Sequence, residues 1–284
     1  MPLNTEILGA ATAPLQHSVD ARWLMAYAAG LGDLNPRYMD TQDQAVIGHP
    51  VFPVCLEWPV ILNTRDMAGS QSLTAQESAR GVHAAHDLHI YRPVRDGDEL
   101  NTQATMIGIH AIKPGAAYTM RLDTTDITGE LVARTYQLGI YRGVEILGEP
   151  RATEQAPELP RLAQLDDPDT FSIFVPAGSA HTYTECARIW NPIHTDRAVA
   201  LSAGLPDIIL HGTATLALAV SKIVDFYADS DATRVTRLGG RFSAMVLMPS
   251  TISLQARRVD DVVSFQVLTD KAQPAISSGF VCLS

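Results

Sequence analysis

The chain has 284 residues, 46% of them hydrophobic and 18% charged, with a formal net charge of −10. That composition describes a globular protein with a sizeable core, and it gives no basic face of the kind that replaces the counterions of nucleic acid. No apolar run reaches the ~18 residues of a membrane span, and the N-terminus lacks a basic and apolar leader, so a cytoplasmic protein with no membrane partner is expected. Cys55, Cys186 and Cys282 are odd in number and far apart. They suggest reduced structural thiols, with neither a disulfide framework nor a metal cluster.

Taken in order, residues 18–30 place Trp23, Leu24, Tyr27 and Ala28 at helical spacing, with Ser18 or Asp20 as N-cap. Two glycines then break the pattern, and Asn35-Pro36 restarts it. Residues 48–59 carry three prolines and are expected to form an apolar turn region leading into a helical stretch at 60–63. From Val82 the period changes to alternation. Strands are expected over 86–93, 99–109, 118–125 and 131–141, punctuated by Gly97, Gly115 and Gly129. A helix followed by an antiparallel meander is an α+β pattern. Residues 148–169 are rich in proline and charge and are expected to link two modules, 1–147 and 170–284.

After that segment the order repeats. A strand is expected at 171–175, helices at 181–190, 196–203 and 213–227, then strands at 235–241, 251–258, 262–269 and 275–283. Gly32-Asp33-Leu34-Asn35-Pro36-Arg37-Tyr38 aligns with Arg188-Ile189-Trp190-Asn191-Pro192-Ile193-His194 at a constant offset of 156 residues. His49-Pro50 before one helix answers His211-Gly212 before the other. One chain therefore holds two copies of one module.

At these residues the chain resembles the MaoC-like family of (R)-specific enoyl-CoA hydratases and dehydratases in its two-module form. The resemblance rests on Gly32-Asp33-x-Asn35-Pro36, Arg92-Pro93 with its Gly97-Asp98 turn, Asn191-Pro192-Ile193-His194 and Leu210-His211-Gly212. It implies a double hotdog, in which each module wraps a long antiparallel sheet around a central helix. It further implies water addition to, or elimination from, an α,β-unsaturated acyl thioester. The substrate expected is an acyl-CoA, with no cofactor beyond that coenzyme A, and the assembly expected is a homodimer.

Carried over by position, His194 is the acid/base, Asn191 orients the water, and the Gly212 amide polarises the thioester carbonyl. Histidine supplies a pKa near neutral, and an N–H at a helix start stabilises the oxyanion. Ile189, Trp190, His211 and Glu57 are expected around the pocket, His211 mainly in tying a loop. The family's aspartate, however, is Ile189 here. The first copy keeps Asp33 but has Tyr38 in place of the histidine. Loss of one such group costs about 10²- to 10⁴-fold. Glu185, one helical turn before Ile189, is the nearest substitute acid and Asp33 the other; Asp196 and Asp207 are weaker choices. The departure leaves open a diverged reaction, such as cyclisation or isomerisation, or a non-catalytic acyl-binding subunit. His86-x-x-His89 on a strand puts the two rings on opposite faces, which argues against a metal site.

Overall fold

The structure is a computed structural model describing residues 2–42, 44–67, 73–78 and 80–284. Helix α1 (Ala21–Gly30) begins at Asp20, whose carboxylate accepts the Trp23 N–H at 2.8 Å. It buries Trp23, Leu24, Tyr27 and Ala28, the face expected from their spacing. Asn35 caps the short helix Pro36–Met39 through the Arg37 N–H. The next helix, α2, spans Pro53–Asn63 and so begins well before the stretch its prolines suggested. Pro53 occupies the first turn, where its missing N–H costs nothing, and burial of Val54, Cys55, Leu56 and Val60 outweighs the bond lost at Pro59.

The strands of the first module are β1 (Leu15–Ser18), β2 (Gly81–Ile90), β3 (Glu99–Ile112), β4 (Gly115–Asp126) and β5 (Leu131–Arg142). The second module has β6 (Asp169–Val175), helix α3 (Ser179–Ala187), helix α4 (Gly212–Tyr227), β7 (Val235–Phe242), β8 (Ser250–Val259), β9 (Val262–Leu268) and β10 (Pro274–Leu283). Along the sheet the strands run β1-β3-β4-β5-β2-β7-β10-β9-β8-β6. Read from either end, the order within a module is first, third, fourth, fifth, second. The two copies share one topology and are joined strand two to strand two, which makes a double hotdog. Each inner face is covered by its central helix. The α4 helix buries nine residues, from Ala214 to Val224, against β7 to β10.

Two features hold the join. Arg237 donates to both Asp87 oxygens at 2.8 Å across the β2–β7 pair, and Gly239 faces the His86 carbonyl so closely that a Cβ there would lie 2.2 Å from it. Helices α1 and α3 pack against each other, with the Tyr27 and Tyr183 hydroxyls, equivalent in the repeat, 3.3 Å apart.

The expected linker is laid across both modules. Arg151–Ala152 pairs with β3, the Tyr136 hydroxyl donates to Glu154, and Arg237 donates to the Glu158 carbonyl. Further on, the Ala163 N–H donates to Ser264 and Arg257 to the Asp166 carbonyl. Arg92 of the Arg92-Pro93 step forms a two-bond pair with Asp98 in the following turn. All three cysteines are unpaired. Among the described residues no helix is long and apolar enough to cross a membrane.

Candidate active site

The segment from Arg188 to His194 leaves α3 abruptly. The helix ends at Ala187 because Arg188 takes the left-handed conformation, φ 58° and ψ 35°, and the Ile189 N–H returns to the Thr184 carbonyl at 3.1 Å. In the first copy the equivalent residue is Gly32, at φ 72°. Arginine bears the cost of that conformation here, and its guanidinium lies 3.9 Å above the Trp23 ring. The helix expected to reach residue 190 therefore stops three residues short.

This stop removes the geometry that made Glu185 a substitute acid. Glu185 is exposed and accepts the Trp190 indole N–H at 3.4 Å. Ile189, 5% exposed, has joined the hydrophobic core. Among the described residues no carboxylate lies within 4.0 Å of either His194 nitrogen. Glu185→Gln is accordingly expected to leave kcat within about threefold of the parent in a hydration assay. A fall toward the ~10²-fold expected for loss of a general acid would restore Glu185 to that role.

Asn191 caps the turn Pro192–His194, its side-chain oxygen accepting the Ile193 N–H at 3.4 Å. His194, at the end of that turn, is half-buried and donates from Nδ1 to the Ile209 carbonyl at 2.8 Å. That bond sets the tautomer and leaves the Nε2 lone pair free. The ring stacks on His211 with centroids 3.6 Å apart and planes 25° off parallel. His211 is 2% exposed, and its Nε2 lies 3.3 Å from the Thr184 hydroxyl. Burial pushes His194 down to about 4, with the Ile209 bond opposing it. Burial, and then the neighbouring His194, pushes His211 well below its usual range. Two stacked imidazoles in a dry setting are both neutral at physiological pH.

Gly212 is the first residue of α4 and is exposed. His211 as N-cap makes no side-chain capping bond, and the first helical bond runs from the Thr215 N–H to the His211 carbonyl. The amides of the first turn are thus open, with the positive end of a 16-residue helix behind them. A Cβ at position 212 would lie 3.0 Å from the Phe242 ring, so a side chain there would push that ring aside. The Tyr183 hydroxyl steadies this turn by donating to Thr213 at 3.1 Å. Beside these groups lies an open cleft of about 300 Å³, bordered by Thr184, Glu185, Trp190 and Asn191.

The first copy is complementary and incomplete. Asp33 accepts the Asn35 N–H at 3.1 Å and lies 4.0 Å from His49 Nε2. His49 Nδ1 accepts the Val51 N–H at 3.1 Å, so Nε2 carries the proton and faces the Ser221 hydroxyl at 3.2 Å. Ser221 and Asp33 thus approach the same nitrogen, which excludes a relay from serine through histidine to aspartate. Where the second copy has Gly212, the first has Pro50, which has no amide to donate. Tyr38, in the histidine position, is fully buried.

Two expected site residues fall elsewhere. Burial, and then the nearby Asp33 charge, raises the Asp225 carboxyl, and Asn35 donates to the Ser230 carbonyl. Asp225 is thirteen residues from Gly212, or roughly 20 Å along the axis of α4, so Asp33 cannot serve His194. Glu57 is 2% exposed and bonded to Thr135 inside the first module, with its carboxyl pushed up to about 7 by burial. It borders neither the cleft nor the imidazole pair. His194, His211, Gly212, Ile189, Asn191 and Trp190 do come together. Thr184, Tyr183, Thr213 and the Ile209 carbonyl were missed, since hydroxyls and carbonyls of this kind occur throughout any sequence.

Residues 162–277, which include this cluster, match the family described as MaoC like domain, and residues 6–135 match the FAS1-like dehydratase domain region. The chain is 27% identical over 276 residues to the enoyl-CoA hydratase ChsH3 of Mycobacterium tuberculosis, covering 89% of each chain. A MaoC-like dehydratase from Phytophthora capsici superposes with a TM-score of 0.81 at 21% identity, covering 98% of this chain and 97% of that one. A Mycobacterium tuberculosis protein described as having a double hotdog fold superposes at 0.62, with 16% identity over 97% and 96% of the two chains. The structural likenesses are of fold; the sequence matches cover both copies. The chain therefore carries a MaoC-like dehydratase domain in its second half and a FAS1-like dehydratase region in its first, joined as a double hotdog.

Proposed function

We propose that the second module reversibly adds water to α,β-unsaturated acyl thioesters carried on coenzyme A, with His194 as the single acid/base. The observation that carries this reading is the tautomer of His194: Nδ1 is committed to Ile209, and Nε2 presents a lone pair beside the open amides of α4. In hydration, Nε2 takes a proton from water as the water oxygen bonds the β-carbon. The π electrons move toward the thioester oxygen, where the Gly212 N–H receives the charge. The imidazolium then returns its proton to the α-carbon, and dehydration is the reverse. Because one nitrogen both takes and gives the proton, hydrogen and hydroxyl add to the same face. The name of the mycobacterial relative agrees with this class of reaction.

His194→Ala is expected to lower kcat/KM for a trans-2-enoyl-CoA by about 10²- to 10⁴-fold. Circular dichroism and thermal unfolding of the variant should match the parent. Turnover retained in a folded His194→Ala protein would overturn the reading.

A further inference from the structure

His83 and His86 stand on β2 at the join between the modules, on the inner face that also carries Leu88. Their rings are 5.3 Å apart, and the His83 ring is 4.8 Å from Phe242. Phe242 in turn is the side chain packed against Gly212. A line of rings therefore leads from the amide that would hold the thioester carbonyl to His86.

His83 Nε2 lies 3.1 Å from the Ala85 carbonyl. His86 is different: it is 2% exposed, and neither ring nitrogen has a hydrogen-bond partner. The nearby carboxylate, Asp87, points to the other side, where Arg237 and His89 take it. A neutral imidazole has one N–H and one lone pair. Leaving both unmade in a protein interior carries a desolvation cost that an apolar side chain of the same shape would avoid.

Resting on the reaction proposed above, we infer that His86, with His83 beside it, is a specificity-determining residue that hydrogen-bonds an oxygen on the substrate's acyl chain. The ligand is an enoyl thioester bearing a hydroxyl or keto group beyond the reacting carbons. A thioester held at Gly212 sends its chain over Phe242 toward the two histidines. Phe242 and His83 are only partly buried, so the chain can enter by displacing rings rather than strands. An uncharged histidine suits such a group, since it can donate to a carbonyl and both donate to and accept from a hydroxyl. Burial holds His86 down at about 4 and so keeps it uncharged.

The test compares trans-2-decenoyl-CoA with its terminally hydroxylated analogue and a keto analogue, using the full chain and His86→Leu. The parent should favour an oxygenated chain by about tenfold or more in kcat/KM, the discrimination of one well-made buried hydrogen bond. His86→Leu should lose that preference by weakening the oxygenated substrates while leaving the plain chain within about threefold, and His86→Gln should retain part of it. His86→Leu removes two unsatisfied polar atoms, so its thermal midpoint should equal or exceed the parent's. Calorimetric binding of the saturated acyl-CoA counterparts reads the same preference without turnover. If the binding preference holds but no enoyl-CoA reacts, the proposed reaction fails and this inference stands. Equal binding of plain and oxygenated chains by the parent, equal losses for both in His86→Leu, or a water kept on His86 in a ligand complex would overturn it.

Discussion

Ile189→Asp is expected to raise kcat/KM for trans-2-enoyl-CoA hydration by about 10²-fold or more, the worth of a positioned acid/base group. The first copy shows how a carboxylate sits at this position. Asp33 accepts the N–H two residues on and lies 4.0 Å from His49. Placed at 189, it would accept the Asn191 N–H and face the His211–His194 stack. A carboxylate there holds the water and draws the histidines back toward neutral pKa. The substitution also destabilises. Ile189 is 5% exposed, so its apolar burial, about 2 kcal/mol, is lost and a charge takes its place. The double variant Arg188→Gly/Ile189→Asp restores the glycine suited to φ 58° and should recover about 1 kcal/mol. Steady-state rates on protein shown to be folded by circular dichroism decide the matter. Unchanged hydration in a folded Ile189→Asp enzyme would mean that the site has been rebuilt for another reaction.

Acid is expected to unfold the protein between about pH 6.5 and 5, above the range where ordinary carboxylates titrate. Five histidines, His49, His86 and His211 buried and His83 and His194 partly so, are held neutral by desolvation. His49, His86 and His194 are lowered to about 4, His83 to about 3, and His211 well below its usual value. Below pH 6.5 the unfolded chain binds protons that the folded chain refuses, so stability falls as pH falls. Each group contributes about 1.4 kcal/mol per pH unit. Glu57 acts in the opposite sense, because its carboxyl, raised to about 7, holds a proton more tightly when folded. Its stabilisation grows as pH drops from 7 toward 4.5 and cancels about one histidine. The remaining slope of several kcal/mol per pH unit is large against a folding free energy of about 5–15 kcal/mol. Urea midpoints measured by circular dichroism from pH 8 to 4.5 should be highest near neutral and fall steeply below 6.5. A midpoint unchanged down to pH 5 would show that these rings take up protons without loss of the fold.

The two results are linked by burial. The same dry surroundings that make His194 a neutral base make acid destructive, and they are why an apolar residue at 189 is tolerated while a lone charge there is costly.

Much of the fold was legible in the residues. Period-two alternation marks the long strands, the apolar run over 213–227 marks the second central helix, and the offset that aligns Asn35-Pro36 with Asn191-Pro192 reveals the duplication. The first central helix was not legible, because Pro53 and Pro59 contradict a local signal that burial then overrides. Within the site, the chemistry of His194, His211 and Gly212 could be named from the residues alone. Their relation could not. The free Nε2 of His194 depends on the carbonyl of Ile209, the stack on His211 depends on where α4 begins, and the failure of Glu185 depends on a left-handed turn at Arg188. Asp33 was one half of a divided acid–base pair in the sequence; in space it lies near the far end of α4. Sequence by itself determined which groups exist and in which copy, because side-chain chemistry and period are local properties. Which of them meet was decided only by the tertiary structure, because proximity across 15 to 156 residues is set by how the two modules bury their helices against one shared sheet.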